Sequence, residues 1–250
     1  MKERLLNVLF RYLNVLFKIK NLNKPKILLY TDSRGTNVLN KYGKTPWNSY
    51  TFSLALNYRL DYYLCPEKFT TIIDFVNQIR DIDLKNYNIV IMHCGVVDFS
   101  PRPLSNIQIV KASKASNKEF DSLFSENDNY YKMPFDTLYQ GELTINLYSS
   151  QYLINSVIPQ LRKINNLIWV DSNRFVKGWE GNYTKGRPQN IDSVVNQFDE
   201  IMSSNLANII SLKLWTDENI MKFTIDNIHF TKYGFKELYK LINNKIIEIN

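Results

Sequence analysis

A serine, a histidine and an aspartate can together transfer an acyl group. The hydroxyl attacks a carbonyl, the imidazole takes its proton, and the carboxylate fixes the imidazole's tautomer. Ser33 lies in Tyr30-Thr31-Asp32-Ser33-Arg34-Gly35 near the start of the chain, and Asp226 and His229 lie in Asp226-Asn227-Ile228-His229 near its end. The spacing of the last pair lets one carboxylate hold one ring nitrogen while the other nitrogen points at a hydroxyl. Ser, Asp, His is one of several chain orders on which this geometry occurs. The competing reading makes Ser33 a turn residue and His229 a hydrogen-bonded residue at a helix start.

Residues so far apart need a frame that brings them together. Short apolar runs at Lys26–Thr31, Arg59–Cys65, Asn88–Cys94, Leu167–Asp171 and Asn208–Leu214 read as strands. Helical patterns fall between them at Pro46–Leu56, Phe69–Arg80, Gln151–Ile164 and Ile191–Asn205, and a last one runs from Lys232 to Ile249. This alternation predicts an α/β fold, with a doubly wound, mostly parallel sheet of about five strands and helices on both faces. Ser33 then sits on the turn after the first strand, at the carboxyl edge where open α/β sheets build their sites. The stretch 102–142 breaks the rhythm and reads as an insertion at that edge and a candidate lid.

The strand followed by Asp32-Ser33, and the Asp-x-x-His before the last helix, resemble the SGNH (GDSL) hydrolase superfamily. Gly95-Val96-Val97-Asp98, after the third strand, stands where that superfamily usually has Gly-x-Asn-Asp. The resemblance covers nearly the whole chain in short blocks and implies a flavodoxin-like order of strands. It also implies a serine esterase or O-acyltransferase with Ser33, Asp226 and His229 as its catalytic residues. Similarity to members of the superfamily suggests an acyl ester, in the first instance acetyl, on a carbohydrate such as a bacterial surface polysaccharide. The oxyanion donors depart from the family pattern. Cys65-Pro66-Glu67-Lys68 offers no glycine after the second strand, and Val97 replaces the asparagine. The Ser33 amide remains, and Asn173, following the next strand, is the first candidate replacement, ahead of Arg34, Arg102 and His93. A non-catalytic scaffold docked to a membrane-bound polysaccharide biosynthesis complex is the alternative.

Other residues suggest the walls of the site. Gly95, Asp98 and Arg102 belong to one loop; Arg102 either fixes that loop or binds an anionic substrate group. Trp179, in the polar-aromatic stretch from Asn173 to Asn190, either stacks on a sugar ring or caps the core. His93 ends a strand and reads as a structural histidine. Neither histidine has metal-ligand spacing to another, so no metal is expected, and no cofactor motif is present. The two cysteines, Cys65 and Cys94, read as small thiols.

Charge is concentrated at one end. Of the net +7, residues 1–26 carry +6 (seven cations against Glu3), so the body is nearly neutral and no nucleic-acid partner is expected. Residues 1–24 read as a basic amphipathic helix preceding an α/β domain over 25–250. Leu-Asn-Val-Leu-Phe repeats at 6–10 and 13–17, and Arg4, Asn7, Arg11, Asn14 and Lys18 line one narrow polar stripe. Arg11 interrupts the apolar stretch, which argues against a signal peptide or a membrane span. A helix on an anionic membrane surface, and a helix packed on the body or on a second copy through residues 1–20, both remain open. Either places the protein in the cytoplasm, the first at the inner face of the membrane.

Overall fold

The computed structural model describes residues 2–41, 43–114, 120–121, 123 and 129–249. Helix α1 (Lys2–Lys20) precedes strands β1 (Lys26–Thr31), β2 (Arg59–Leu64) and β3 (Ile89–His93). A small antiparallel sheet follows, made of β4 (Arg102–Pro103), β5 (Pro134–Tyr139) and β6 (Glu142–Ile145). Strands β7 (Leu167–Val170) and β8 (Asn208–Ile210) complete the main sheet, whose order is β2-β1-β3-β7-β8. Each of its pairings is parallel, as the alternation of runs predicts. In this order the chain reverses direction across the sheet between β1 and β3, the switch point where such folds open a crevice.

The central strands are apolar over most of their length (Ile27–Tyr30, Ile89–Met92 and Leu167–Val170) because both of their faces are covered. Alternate residues of one strand therefore serve two cores. Leu28, Tyr30, Val90, Met92 and Trp169 face one, together with Phe75 and Phe198; Ile27, Leu29, Ile91, Ile168 and Val170 face the other, together with Phe10 and Leu238. Helices α2 (Tyr50–Asn57), α3 (Ile72–Gln78), α8 (Ile191–Asn205) and α10 (Lys232–Ile249) cover these faces. The start of α3 is set by a capping box, in which Thr71 and Asp74 each satisfy the other's amide.

Two expectations need correction. The last strand stops at Ile210 rather than Leu214, because the Asp171 carboxylate takes the Ser211 hydroxyl at 2.8 Å and the Leu212 amide at 2.6 Å, pulling the chain out of the sheet. The stretch over 102–142 is not irregular throughout: β5 and β6 pair across Gln140-Gly141, both at positive φ, as a two-residue hairpin turn requires. Between β4 and β5 lies α5 (Leu104–Ser113); of the polar run Lys111–Lys118, residues 115–118 lie outside the described residues.

Candidate active site

Ser33 begins a single 3₁₀ turn, Ser33–Gly35, directly after β1. Asp32 caps that turn by accepting the Arg34 amide at 2.9 Å, and the Arg34 guanidinium folds back onto the same carboxylate at 3.0 Å. Thr36 closes the turn from the other side, with its hydroxyl and amide both on the Ser33 carbonyl. A side chain at Gly35 would meet Thr31 Cγ2 at 2.2 Å, so only glycine lets the chain turn this tightly against β1. Asp32, Arg34 and Gly35 are all buried, while Ser33 between them is partly open to solvent. The local sequence thus presents one hydroxyl and hides its neighbours.

The other partner arrives on a tight loop closed by an antiparallel bridge between Thr224 and Phe230. Asn227, at φ 67°, turns the loop, and its side chain is held at both ends. Its oxygen accepts the Val176 amide at 2.9 Å, and its nitrogen donates to the Trp179 carbonyl at 2.6 Å. Asp226 accepts the backbone amides of Ile228 and His229 on Oδ1 and the ring Nδ1–H of His229 on Oδ2 at 2.8 Å. His229 Nε2 lies 3.0 Å from Ser33 Oγ. A carboxylate only accepts, so the ring proton sits on Nδ1 and the Nε2 lone pair faces the serine hydroxyl. Burial opposes a charge on Asp226. The bonds from the His229 ring and from the two amides outweigh it and hold the carboxyl below the usual carboxylate range. Such a chain of groups can take a proton from Ser33 and return it.

Arg187, in the polar-aromatic stretch from Asn173 to Asn190, completes this side, and nothing in the sequence announces its contact with Asp226. Its guanidinium donates to the Asp226 carbonyl at 2.5 Å, stands 3.8 Å from the Asp226 carboxylate, pairs with Glu180 and stacks 4.2 Å above the Tyr183 ring. The partner that gives it meaning is 39 residues away. The insertion reaches the same segment, where the Tyr139 hydroxyl donates to the Gly186 carbonyl at 2.8 Å.

Several other candidates have different work. Asn173 spends both amide hydrogens on carbonyls, those of Asn227 (2.9 Å) and Arg174 (2.8 Å); it braces the Asp226–His229 loop and has no proton left for an oxyanion. Arg34 is buried in its ion pair with Asp32 and also donates to Ser172 at 3.1 Å, so it does not line a substrate pocket. Trp179 packs partly buried against the second core, which is the capping reading rather than an open stacking platform. His93 is fully buried with Nδ1 2.8 Å from the Tyr50 hydroxyl, and burial pushes its pKa well down, so it is a neutral structural residue.

After β3, Gly95 takes φ 111° and starts the short helix α4 (Val96–Phe99). Asp98 on α4 is fully buried, accepting the Ile72 amide at 3.0 Å and the Tyr148 hydroxyl at 2.9 Å; it ties α4 to α3. Arg102, in β4, is only partly exposed, and the Asp98 carboxyl favours its charge while burial opposes it more strongly. Val97 is the partly exposed residue of α4 and carries no donor on its side chain. On the β2 side, Cys65 adopts φ 44°, and its amide is already bonded to the Thr31 carbonyl at 2.9 Å. Burial raises the thiols of both cysteines, Cys65 to about 11, and both are free. A groove of about 930 Å³ runs between α1 and β2 as far as Thr36 and Cys65, but Ser33, Asp226 and His229 do not line it. Among the described residues no three His, Cys, Asp or Glu side chains are grouped to hold a metal ion.

No family model matches the chain, and neither does any curated protein. Solved structures do. A lipase/acylhydrolase from Enterococcus faecalis aligns over 89% of this chain and 95% of its own at 13% identity, with a TM-score of 0.50. A GDSL-like lipase from Bacteroides thetaiotaomicron aligns over 92% and 91%, also at 13% identity, with a TM-score of 0.48. At such identities the likeness is one of fold: this chain has the SGNH (GDSL) hydrolase fold.

Proposed function

We propose that the protein is a serine acyl-ester enzyme. The observation that carries this reading is the unbroken line Ser33 Oγ, His229 Nε2, His229 Nδ1, Asp226 Oδ2, with steps of 3.0 and 2.8 Å between residues. In the reaction, Ser33 Oγ attacks the ester carbonyl carbon as its proton passes to His229 Nε2. The tetrahedral oxyanion collapses, the carbon–alkoxide bond breaks, and Nε2 gives its proton to the departing alcohol. Water, or a second alcohol, is then deprotonated by Nε2 and attacks the acyl-serine, which releases Ser33 Oγ to take back the proton. Water makes the protein an esterase and an alcohol makes it an O-acyltransferase; both use the same residues.

An acetyl ester of a carbohydrate is the finer reading. Its support is the segment around Arg187: Glu180 and Asn182 are exposed and Tyr183 partly exposed beside Asp226, so groups able to bond hydroxyls flank the site. A scaffold without turnover is the second reading, and Val97 and Pro66 favour it, because neither can supply the donor its position calls for. A fluorophosphonate followed by intact-mass measurement separates the two. A single adduct that disappears in both Ser33→Ala and His229→Ala is the expected result, together with a loss of ester hydrolysis of about a thousandfold or more in each variant. Folded wild-type protein that takes no adduct and hydrolyses no soluble ester would overturn the enzyme reading.

A further inference from the structure

Helix α1 faces the body with the side a surface helix ordinarily shows to water. Asn14 donates to the Leu60 carbonyl at 2.9 Å, Asn21, just past the helix, to the Leu56 carbonyl at 3.1 Å, and Lys18 pairs with Asp61. Phe10 enters the core between them, fully buried against Trp47, Phe52 and Tyr62. The Trp47 indole N–H closes the contact on the Leu6 carbonyl at 3.1 Å. Asn7, Asn14 and Lys18 of the polar stripe are therefore spent on the protein, and Arg4 and Arg11 stay exposed at its edge. The apolar side is left outside: Leu5 is 67% exposed, Tyr12 70%, Leu16 59% and Ile19 60%, and Val8, Leu9, Val15 and Leu22 complete the same face. A contiguous apolar surface of that kind marks an interaction site rather than a solvated one.

We infer that this face docks on an anionic lipid bilayer, lying in the interface plane. Charge selects that occupant. Arg4, Lys20 and Lys24 are exposed around the face, Arg11 is turned toward Tyr62 in the groove beside β2, and the segment's one acid, Glu3, lies against Gly43 in the body. A second copy packed on this face about a two-fold axis would set these cations against their own images, with no acid to answer them. A bilayer carrying anionic headgroups takes the apolar side chains below its surface and answers each cation above it. The helix is also unsuited to crossing the membrane: no helix among the described residues is long and apolar enough to do so. It runs alongside the sheet from Lys44, touched by Asn7 near the active edge, to the carboxyl end of α2 at the opposite edge.

The test is flotation of the full chain with vesicles of phosphatidylcholine alone and with about 30% phosphatidylglycerol, in low and high salt. Binding to the anionic vesicles should exceed binding to the neutral ones by about tenfold or more and fall with salt. Leu9→Glu with Leu16→Glu should abolish it while leaving the melting curve and the hydrolysis of soluble esters unchanged, since both side chains point out of the fold. Neutralising Arg4, Lys20 and Lys24 to Gln should weaken binding by about fivefold for each cation removed. Folded wild-type protein that stays unbound with anionic vesicles would overturn the inference. So would a concentration-dependent dimer, seen by light scattering, that the Leu9/Leu16 variant splits, because the face would then belong to a second copy.

Discussion

On one side of Ser33 almost every polar group has a partner; on the other the sequence has removed them. The Asp226–His229 loop is held by two backbone amides, by Asn227 at both ends of its side chain, by Asn173 and by Arg187. Each such bond contributes only about 1 kcal/mol, but together they leave the imidazole one orientation. The facing loops after β2 and β3 present Pro66, which has no amide hydrogen, Cys65, whose amide is already used, and Val97, which has no side-chain donor. On the proposed reading, the half that moves the proton is fully bonded, while the half that stabilises negative charge keeps the Ser33 amide but gains no donor from Pro66, from the Cys65 amide or from the Val97 side chain. If the proposed reaction is right, such a site activates its serine well and is weak at the tetrahedral intermediate.

The contrast is tested most severely by restoring a donor. Losing one oxyanion donor costs on the order of a hundred- to a thousandfold in kcat, so Val97→Asn should raise turnover of a small activated ester by up to about a hundredfold. The change is made at a partly exposed position, so the fold should tolerate it. Unchanged kcat in a folded Val97→Asn protein would mean that the hole is completed elsewhere, and the two sides would no longer differ in the way described.

A smaller effect is expected on the intact side. Arg187→Leu removes the bond to the Asp226 carbonyl and the stacking on Tyr183 while leaving Ser33, His229 and Asp226 in place. Loosening a positioned base should lower kcat by about tenfold, with KM for a small ester little changed. Arg187→Lys should rescue little, since one ammonium cannot reach Asp226 and Glu180 and stack at the same time. A rise in KM alone would place Arg187 against substrate instead.

The division between what could be read in the sequence and what could not follows the same physics. Strands β1, β3 and β7 are legible because strands covered on both faces read as near-continuous apolar runs. The Ser33, Asp226 and His229 segments stand out in the sequence because one follows an apolar strand and the others are spaced Asp-x-x-His before a helical pattern; the structure brings the three side chains within 3.0 and 2.8 Å of one another. Asn173 and Arg34 were misassigned for a common reason: position at the sheet edge says that a donor is near the site, but not whether its hydrogens are already taken. The sequence places Arg187 in the polar-aromatic stretch at the active edge, but not its contact with Asp226, because that partner comes from another part of the chain. The β5–β6 hairpin was obscured by Asp136 and Thr137, which interrupt the apolar alternation where the register of that pair shifts. The α1 stripe was legible as a pattern; which side faced the protein was not, because asparagine amides satisfy carbonyls as readily as water does.

The last prediction concerns Asp98, buried on α4 next to Val97 and bonded to Ile72 and Tyr148. Burial is the largest influence on its carboxyl and raises its pKa to about 7, against the Ile72 amide and the Tyr148 hydroxyl, which pull it down. In the unfolded chain an aspartate titrates near about 3.9. The folded state thus binds this proton more tightly, so the stability Asp98 contributes is complete below about pH 4 and is lost as pH rises through 7. Asp98→Asn keeps an oxygen to accept from Ile72 and Tyr148 and removes the charge that burial resists. Between pH 5 and 8 the variant should therefore gain on the order of 2 kcal/mol relative to wild type, read as a difference in urea midpoints at each pH. Turnover at neutral pH should be the same in both. A difference that stays flat across that range would show that Asp98 is charged in the fold throughout, with Arg102 as the group placed to hold it so.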